Sequence, residues 1–271
     1  MKKHFLNISI LLTLLLMYFK PLIGWVNEWI GFDSFYSYGL FLPVFLFYYF
    51  RKHKTSLTQI NNEFSPIGYL VLVIGVVFYV LGIKAEYPLF VNISLPVVIS
   101  GMVLLIKGYE YLKLCLIPLI MLTICLPIIP IIRITTPLQL FFSVSTVKFL
   151  HMLGVESHNI GSIVYLKGNA ISVEPGCSGL KSLLNLSVIT CMYSYFLKTS
   201  LWKKNLLVLL TLPVTYVNNM LRISLSGFYI LFNGYNNFSQ FHEFIGIVFY
   251  MISIVLVFAI SNLMQEGTNE G

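Results

Sequence analysis

Eight long apolar runs, joined by short connections that hold most of the charges, leave this chain few folds to adopt. They cover residues 5–19 together with the segment directly after them, 32–50, 66–83, 88–106, 114–132, 180–197, 205–231 and 242–263. A bilayer core about 30 Å thick takes roughly 20 apolar residues as a helix, in which the backbone satisfies itself. Composition agrees: 58% of the 271 residues are hydrophobic and 10% charged, with a mean hydropathy of +0.86, outside the range of soluble globular domains. The expected fold class is an all-α polytopic membrane protein of about eight transmembrane helices, forming one membrane domain over 1–271.

The net charge of +7 is not gathered into a basic patch interleaved with aromatics, so no nucleic-acid partner is expected. Loop charge that orients the chain is the better account. With the N-terminus inside, "RKHK" at 51–54, "KGYEYLK" at 107–113 and "KTSLWKK" at 198–204 all fall inside, as the positive-inside tendency favours. The first segment has the basic start and apolar core of a signal peptide, but bulky Met17, Tyr18 and Phe19 replace the small residues of a cleavage site. It reads as a retained anchor. The tail "QEGTNEG" is polar, and no soluble C-terminal domain is expected.

Residues 133–179 form the one long connection. "TTPLQLFFSVSTVKFLHMLG" opens with a helix-start signal and sets Gln139, Ser143 and Thr146 on one stripe, with Lys148 and His151 nearby. An amphipathic helix at the outer interface is expected there; were residues 137–153 to span, sidedness on one flank would change. "SIVYL" and "AISVE" then read as a short β-hairpin, with Gly168 and Asn169 suited to the positive φ of its turn. The second strand runs into "EPGCSG", where Pro175, Gly176 and Gly179 allow a sharp bend before the sixth apolar run.

Cys177 stands at that bend. Cys115, Cys125 and Cys191 fall inside apolar runs and read as small hydrophobes. No CxxC pair or His/Cys cluster with zinc spacing occurs, so neither a metal nor another cofactor is expected. The chain crosses after Cys177, turns at "KTSLWKK", and returns through 205–231, so Arg222 arrives about 26 Å along from Asn205, near the boundary on the side of the thiol. His242 opens the eighth run on that same side. Arg within a span costs about 2.5 kcal/mol or more at the centre, so it is paired, cavity-facing or functional, or it snorkels. Asn218, Asn219 and Ser226 share its stripe.

Thiol, imidazole and guanidinium together suit nucleophilic acyl transfer. A thiolate at a helix N-terminus is stabilised by the dipole and free N–H groups, and an imidazole can take and return its proton. A guanidinium supplies donors for the oxyanion formed when a peptide carbonyl is attacked. Glu174 either meets substrate or closes the turn, the turn being favoured, and Ser178 is expected to cap the helix.

At these residues the sequence resembles the exosortase and archaeosortase family, polytopic membrane analogues of the bacterial sortases. The resemblance rests on "EPGCSGLKSL" around Cys177, on "NNMLR", which gives the family's Asn-x-x-Arg at Asn219 and Arg222, and on His242 of "FHEFIG". It centres on the motif-bearing half, about 133–263. It implies a cysteine protease or transpeptidase in the cell (inner) membrane, active on the extracytoplasmic side. The partners it implies are exported proteins with a C-terminal sorting signal made of a short motif such as Pro-Glu-Pro, a transmembrane helix and a basic tail. Cys177 would form a thioester, assisted by His242 and Arg222, with Glu174, Ser178, Asn218 and Asn219 in support. The sorting motif, the acceptor and the oligomeric state stay open.

A rhomboid-like serine protease would use Ser178 or Ser182 with His242, but its Gly-x-Ser-Gly signal is missing. A non-enzymatic transporter or envelope-assembly scaffold is the broader alternative; such proteins carry polar groups near mid-bilayer in several spans, whereas here they cluster at one boundary.

Overall fold

A computed structural model describes residues 2–31, 34–61, 63–127 and 131–266; for 2–11, 131–133 and 266 it describes the backbone alone. The start of the 32–50 run and the end of the polar tail lie outside the described residues. The chain divides into two compact units, Met1–Ile129 and Pro130–Gly271.

The first unit holds α1 (Lys2–Ile30), a 3-10 turn (Ser37–Phe41), α2 (Leu42–Lys52), α3 (Lys54–Gln59), α4 (Ile67–Lys84), α5 (Pro88–Ile106) and α6 (Tyr109–Cys125). α4 and α5 meet through small residues. Gly68, Gly75 and Gly82 recur every seventh position, and a Cβ on any of them would come within 2.6–2.7 Å of Leu105, Val98 or Val91 on α5. Backbone contact of this kind replaces the hydrophobic drive that lipid cannot supply. Tyr18 and Trp25 of α1 are buried, bonded to Ser94 and Asn92 of α5 at 2.7 Å each.

The run over 32–50 departs from expectation: in place of one helix there is the 3-10 turn followed by the eleven-residue α2. The cause is tertiary. Tyr38 is buried and its hydroxyl donates to the Ile124 carbonyl at 3.1 Å, and the Gly39 backbone presses on the Trp29 indole so closely that a Cβ would stand 2.2 Å from Nε1.

The second unit carries α7 (Ile131–Met152), a sheet of β1 (Ser157–Ile160), β2 (Ile163–Leu166) and β3 (Asn169–Ser172), a 3-10 turn (Pro175–Cys177), α8 (Leu180–Phe196), α9 (Leu201–Asn233) and α10 (Phe238–Glu266). The sheet is antiparallel in the order β1-β2-β3. The expected hairpin is β2 and β3, but its positive-φ turn residues are Lys167 and Gly168, while Asn169 already belongs to the strand. β1 is an addition, since "SHNI" lacks a β-branched run and becomes a strand by pairing with β2 around Gly161.

α7 occupies the expected amphipathic stretch, with its stripe turned toward protein. Ser143 and Thr146 are fully buried and Gln139 is half-buried, while Leu140, Phe141 and Val144 are exposed. Phe142, Val147 and Leu150 join Val164, Leu166, Ile171, Val173, Ile223 and Ile230 in the core beneath the sheet. Among the described residues, four helices are long and apolar enough to cross a membrane: α4, α5, α9 and α10. The protein is thus a mostly helical membrane protein with a small sheet.

Candidate active site

Helices α9 and α10 run antiparallel and set their polar stripes against each other. Asn218 Nδ2 donates to the Phe249 carbonyl at 3.2 Å and reaches the Ser253 hydroxyl; Arg222 lies against Gly246; Ser226 meets His242. A Cβ on Gly246 would stand 3.0 Å from Cζ and Nε of Arg222, closer than ordinary contact, so a side chain there would press on the guanidinium. The interlocked spacing holds Arg222 and His242 in register from two rigid elements.

Cys177 ends the 3-10 turn that follows β3. Its N–H donates to the Glu174 carbonyl at 2.8 Å and its own carbonyl accepts from Asn219 Nδ2 at 2.8 Å, which ties the turn to α9. Ser178 is fully buried and its hydroxyl donates to the Pro175 carbonyl at 2.6 Å. This corrects the capping role expected of Ser178: the residue ahead of α8 is Gly179, at φ +71°, and the Leu180 N–H is 3.5 Å from the Ser178 oxygen, too far for a strong bond. Gly179 also underlies the Phe142 ring, 2.9 Å from where a Cβ would stand. Glu174 closes the turn through its carbonyl and leaves its side chain exposed.

The three side chains expected to meet do so. Cys177 Sγ lies 2.9 Å from His242 Nε2, and Arg222 Nη2 lies 2.9 Å from the same nitrogen. The other ring nitrogen, Nδ1, is 2.8 Å from Ser226 Oγ, which is also 2.8 Å from the Arg222 carbonyl. A carbonyl only accepts, so the Ser226 proton goes to Arg222 O and Oγ accepts from Nδ1–H. That assigns the tautomer: Nε2 carries the lone pair and faces the thiol. The lone pair has two suitors, the S–H of Cys177 and an N–H of Arg222, and serves one at a time.

Burial pushes the Cys177 thiol above its ordinary 9.0; the nearby Arg222 charge opposes the rise, and the Glu174 carboxylate adds to it. The sulfur is therefore held as a thiol at rest. Of the backbone groups nearby, the Glu174 N–H faces the sulfur and also opposes the rise, while the N–H groups of Cys177 and Ser178 are bonded within the turn at 2.8 and 3.2 Å. The positive charge at the site comes from Arg222. Among the described residues no carboxylate pairs with it, and its Nε is buried without a partner.

This triplet, in the order and on the elements that the motifs announced, coincides with a match to the sequence profile of transmembrane exosortases over residues 25–259. The chain belongs to the transmembrane exosortase family. Comparison with curated proteins and with solved structures returned no match. Membership suggests a membrane enzyme that processes sorting signals, and it gives the cluster around Cys177 a chemical context.

In this exosortase the sequence had singled out Cys177, Arg222, His242, Glu174, Ser178, Asn218 and Asn219. His242 contacts the thiol, Asn219 its turn and Arg222 the imidazole, whereas Asn218 serves the α9–α10 contact about a turn below. Ser226, noted only as polar, proves to be the partner of the imidazole. Its signal was its place one turn after Arg222. Gly246 had no signal, since a glycine in an apolar run is uninformative until its neighbour is known. No group of three or more His, Cys, Asp or Glu able to hold a metal occurs among the described residues.

Proposed function

We propose that this exosortase is a membrane-embedded cysteine protease or transpeptidase that removes the C-terminal sorting signal of exported proteins, acting at the extracytoplasmic face of the cell (inner) membrane. The observation that carries the reading is the 2.9 Å approach of Cys177 Sγ to a His242 nitrogen whose tautomer makes it a base.

The steps follow from the groups present. His242 Nε2 takes the S–H proton as the sulfur attacks the scissile carbonyl; the carbonyl π electrons move to oxygen, and the oxyanion is met by the guanidinium of Arg222. Once Nε2 is protonated, its lone pair is gone, so the Arg222 N–H must leave it and turn to the new negative charge. The imidazolium then gives its proton to the departing amine, the C–N bond breaks, and a thioester remains on Cys177. Water or an acceptor amine, deprotonated by the same nitrogen, attacks the thioester and releases the thiol. A substrate held by its own membrane helix brings its cleavage point to the bilayer boundary, which supplies the positioning that a small open site lacks.

Eight crossings and a single domain over 1–271 form part of this proposal. To the four helices of sufficient length and hydropathy it adds α1, α6, α8 and the 3-10 turn with α2. The test follows a tagged membrane-anchored substrate for loss of its C-terminal helix. Cys177→Ala should abolish processing, and Cys191→Ala, which alters a thiol within α8, should leave it within about twofold. Unchanged processing by Cys177→Ala would remove the enzyme reading in favour of a transporter or scaffold.

A further inference from the structure

The sheet of the second unit ends in an edge that leads directly to the thiol. The register pairs Val164 with Ile171 and Leu166 with Asn169, and the Val173 N–H donates to the Ser162 carbonyl at 2.9 Å. Residues 169, 171 and 173 therefore turn their backbone groups toward β2, and 170, 172 and 174 turn theirs to the opposite side. Ala170 bears this out: its N–H donates to the Tyr235 hydroxyl and its carbonyl accepts from it, each at 2.9 Å.

That hydroxyl blunts the edge at Ala170 and goes no further. Among the described residues no hydrogen bond reaches the Ser172 N–H or carbonyl from the open side, and the next outward group, the Glu174 N–H, faces the Cys177 sulfur. Ser172, Glu174, Pro175 and Gly176 are exposed, while Ile171, Val173 and Cys177 are buried. An unpaired edge is a liability that folded proteins cover or cap. Here the cap stops at Ala170, and the open stretch begins two residues later and ends at the nucleophile.

We propose that this edge receives the extended segment of the substrate just upstream of the scissile bond, adding it as a fourth strand beside β3. The inference rests on the function proposed above and names how its substrate is held. Attack by a thiol needs a peptide bond outside a helix, and an extended chain carries free N–H and C=O groups that this edge can satisfy. Four residues lie between Ser172 and Cys177, a reach that four or five substrate residues cover at about 3.3 Å each. β3 leads through Cys177 into α8, and the substrate leads through its cleavage point into its own helix, so the two run parallel. Backbone pairing accepts varied side chains, which suits one enzyme serving several exported proteins.

The experiment uses the full-length enzyme in membranes and the tagged substrate. Ser172→Pro deletes the outward N–H and leaves the β2–β3 ladder untouched, since proline is tolerated on a strand's free edge. It should lower cleavage at subsaturating substrate about five- to tenfold, while Ser172→Ala stays within about twofold. Alkylation of Cys177 should be unchanged in both, which reports an intact site. A second arm leaves the enzyme alone: semisynthetic substrates carry one backbone ester at successive positions two to five residues before the scissile bond. Losses at alternate positions are expected, as a strand requires. A uniform effect, or none, overturns the edge proposal while Cys177→Ala still abolishes cleavage. Cleavage that survives Cys177→Ala overturns both readings.

Discussion

Replacing Arg222 with Gln separates two roles that the geometry gives to one charge. The Arg222 Nη2 and Cys177 Sγ atoms each lie 2.9 Å from Nε2, which keeps them within twice that distance of each other. At roughly 5 Å and an effective dielectric of about 20, guanidinium and thiolate attract by about 3 kcal/mol. Water and salt at a half-exposed group reduce this to about 1–2 kcal/mol, or roughly tenfold in thiolate at neutral pH. The Cys177 thiol already stands above 9.0, with Arg222 as its main restraint, so Arg222→Gln raises it further and the thiolate fraction falls. Alkylation needs only the thiolate and should slow about tenfold, read as the initial rate of iodoacetamide labelling of the Cys177 peptide. Cleavage also needs the oxyanion donor, whose loss costs a further 10²–10³ or so, giving a fall of about 10³ or more. Equal losses in the two assays would mean that Arg222 acts on the sulfur alone. Near-normal cleavage would refute any role at the reacting atoms.

Ser226→Ala leaves the buried Nδ1–H of His242 without its acceptor; a bond of about 1 kcal/mol at rest, and about 1.5–3 kcal/mol to an imidazolium, predicts a fall in kcat of roughly tenfold or more with KM little changed. Ser226→Thr, which keeps the hydroxyl, should recover part of it. The pH profile follows from the raised thiol: alkylation should keep climbing through pH 9 with no plateau below it, and a plateau near neutrality would contradict the buried thiol–imidazole pair. Gly246→Ala pushes its methyl against the guanidinium, so cleavage should drop about tenfold or more while the amount of protein in the membrane stays normal.

Much of the second unit is legible in the sequence because hydropathy and motif agree there. The apolar runs 180–197, 205–231 and 242–263 become α8, α9 and α10, with ends that differ by at most four residues. The order of Cys177, Arg222 and His242 along a crossing, a turn and a return already brings them to one side. Hydropathy is blind to what a neighbour does. The run over 32–50 is apolar throughout, and only the Trp29 ring against Gly39 and the buried Tyr38 hydroxyl account for the turn within it. The stripe on α7 is visible as a stripe, but whether Ser143 and Thr146 face water or protein is decided by what packs on them. β1 likewise has no signature of its own and exists because β2 offers it an edge.

The tautomer of His242 shows how packing between two helices becomes chemistry. One turn of α9 separates Arg222 from Ser226, and the Ser226 proton is committed to the Arg222 carbonyl, a bond that any serine at this spacing in a helix can make. That ordinary back-bond turns the serine oxygen into an acceptor, and the antiparallel course of α10 delivers His242 Nδ1 to it. The far nitrogen is then a base by elimination and points at Cys177, whose position is fixed separately by Glu174 through its amide and Asn219 through its carbonyl. Among Cys177, His242, Ser226 and Arg222, only Arg222 is charged when the thiol is protonated, and it lacks a carboxylate partner among the described residues. A carboxylate beside it would neutralise the charge that the thiolate and oxyanion need. A half-buried guanidinium without a carboxylate partner costs stability, and under the proposed mechanism that cost keeps the charge free until an anion forms beside it.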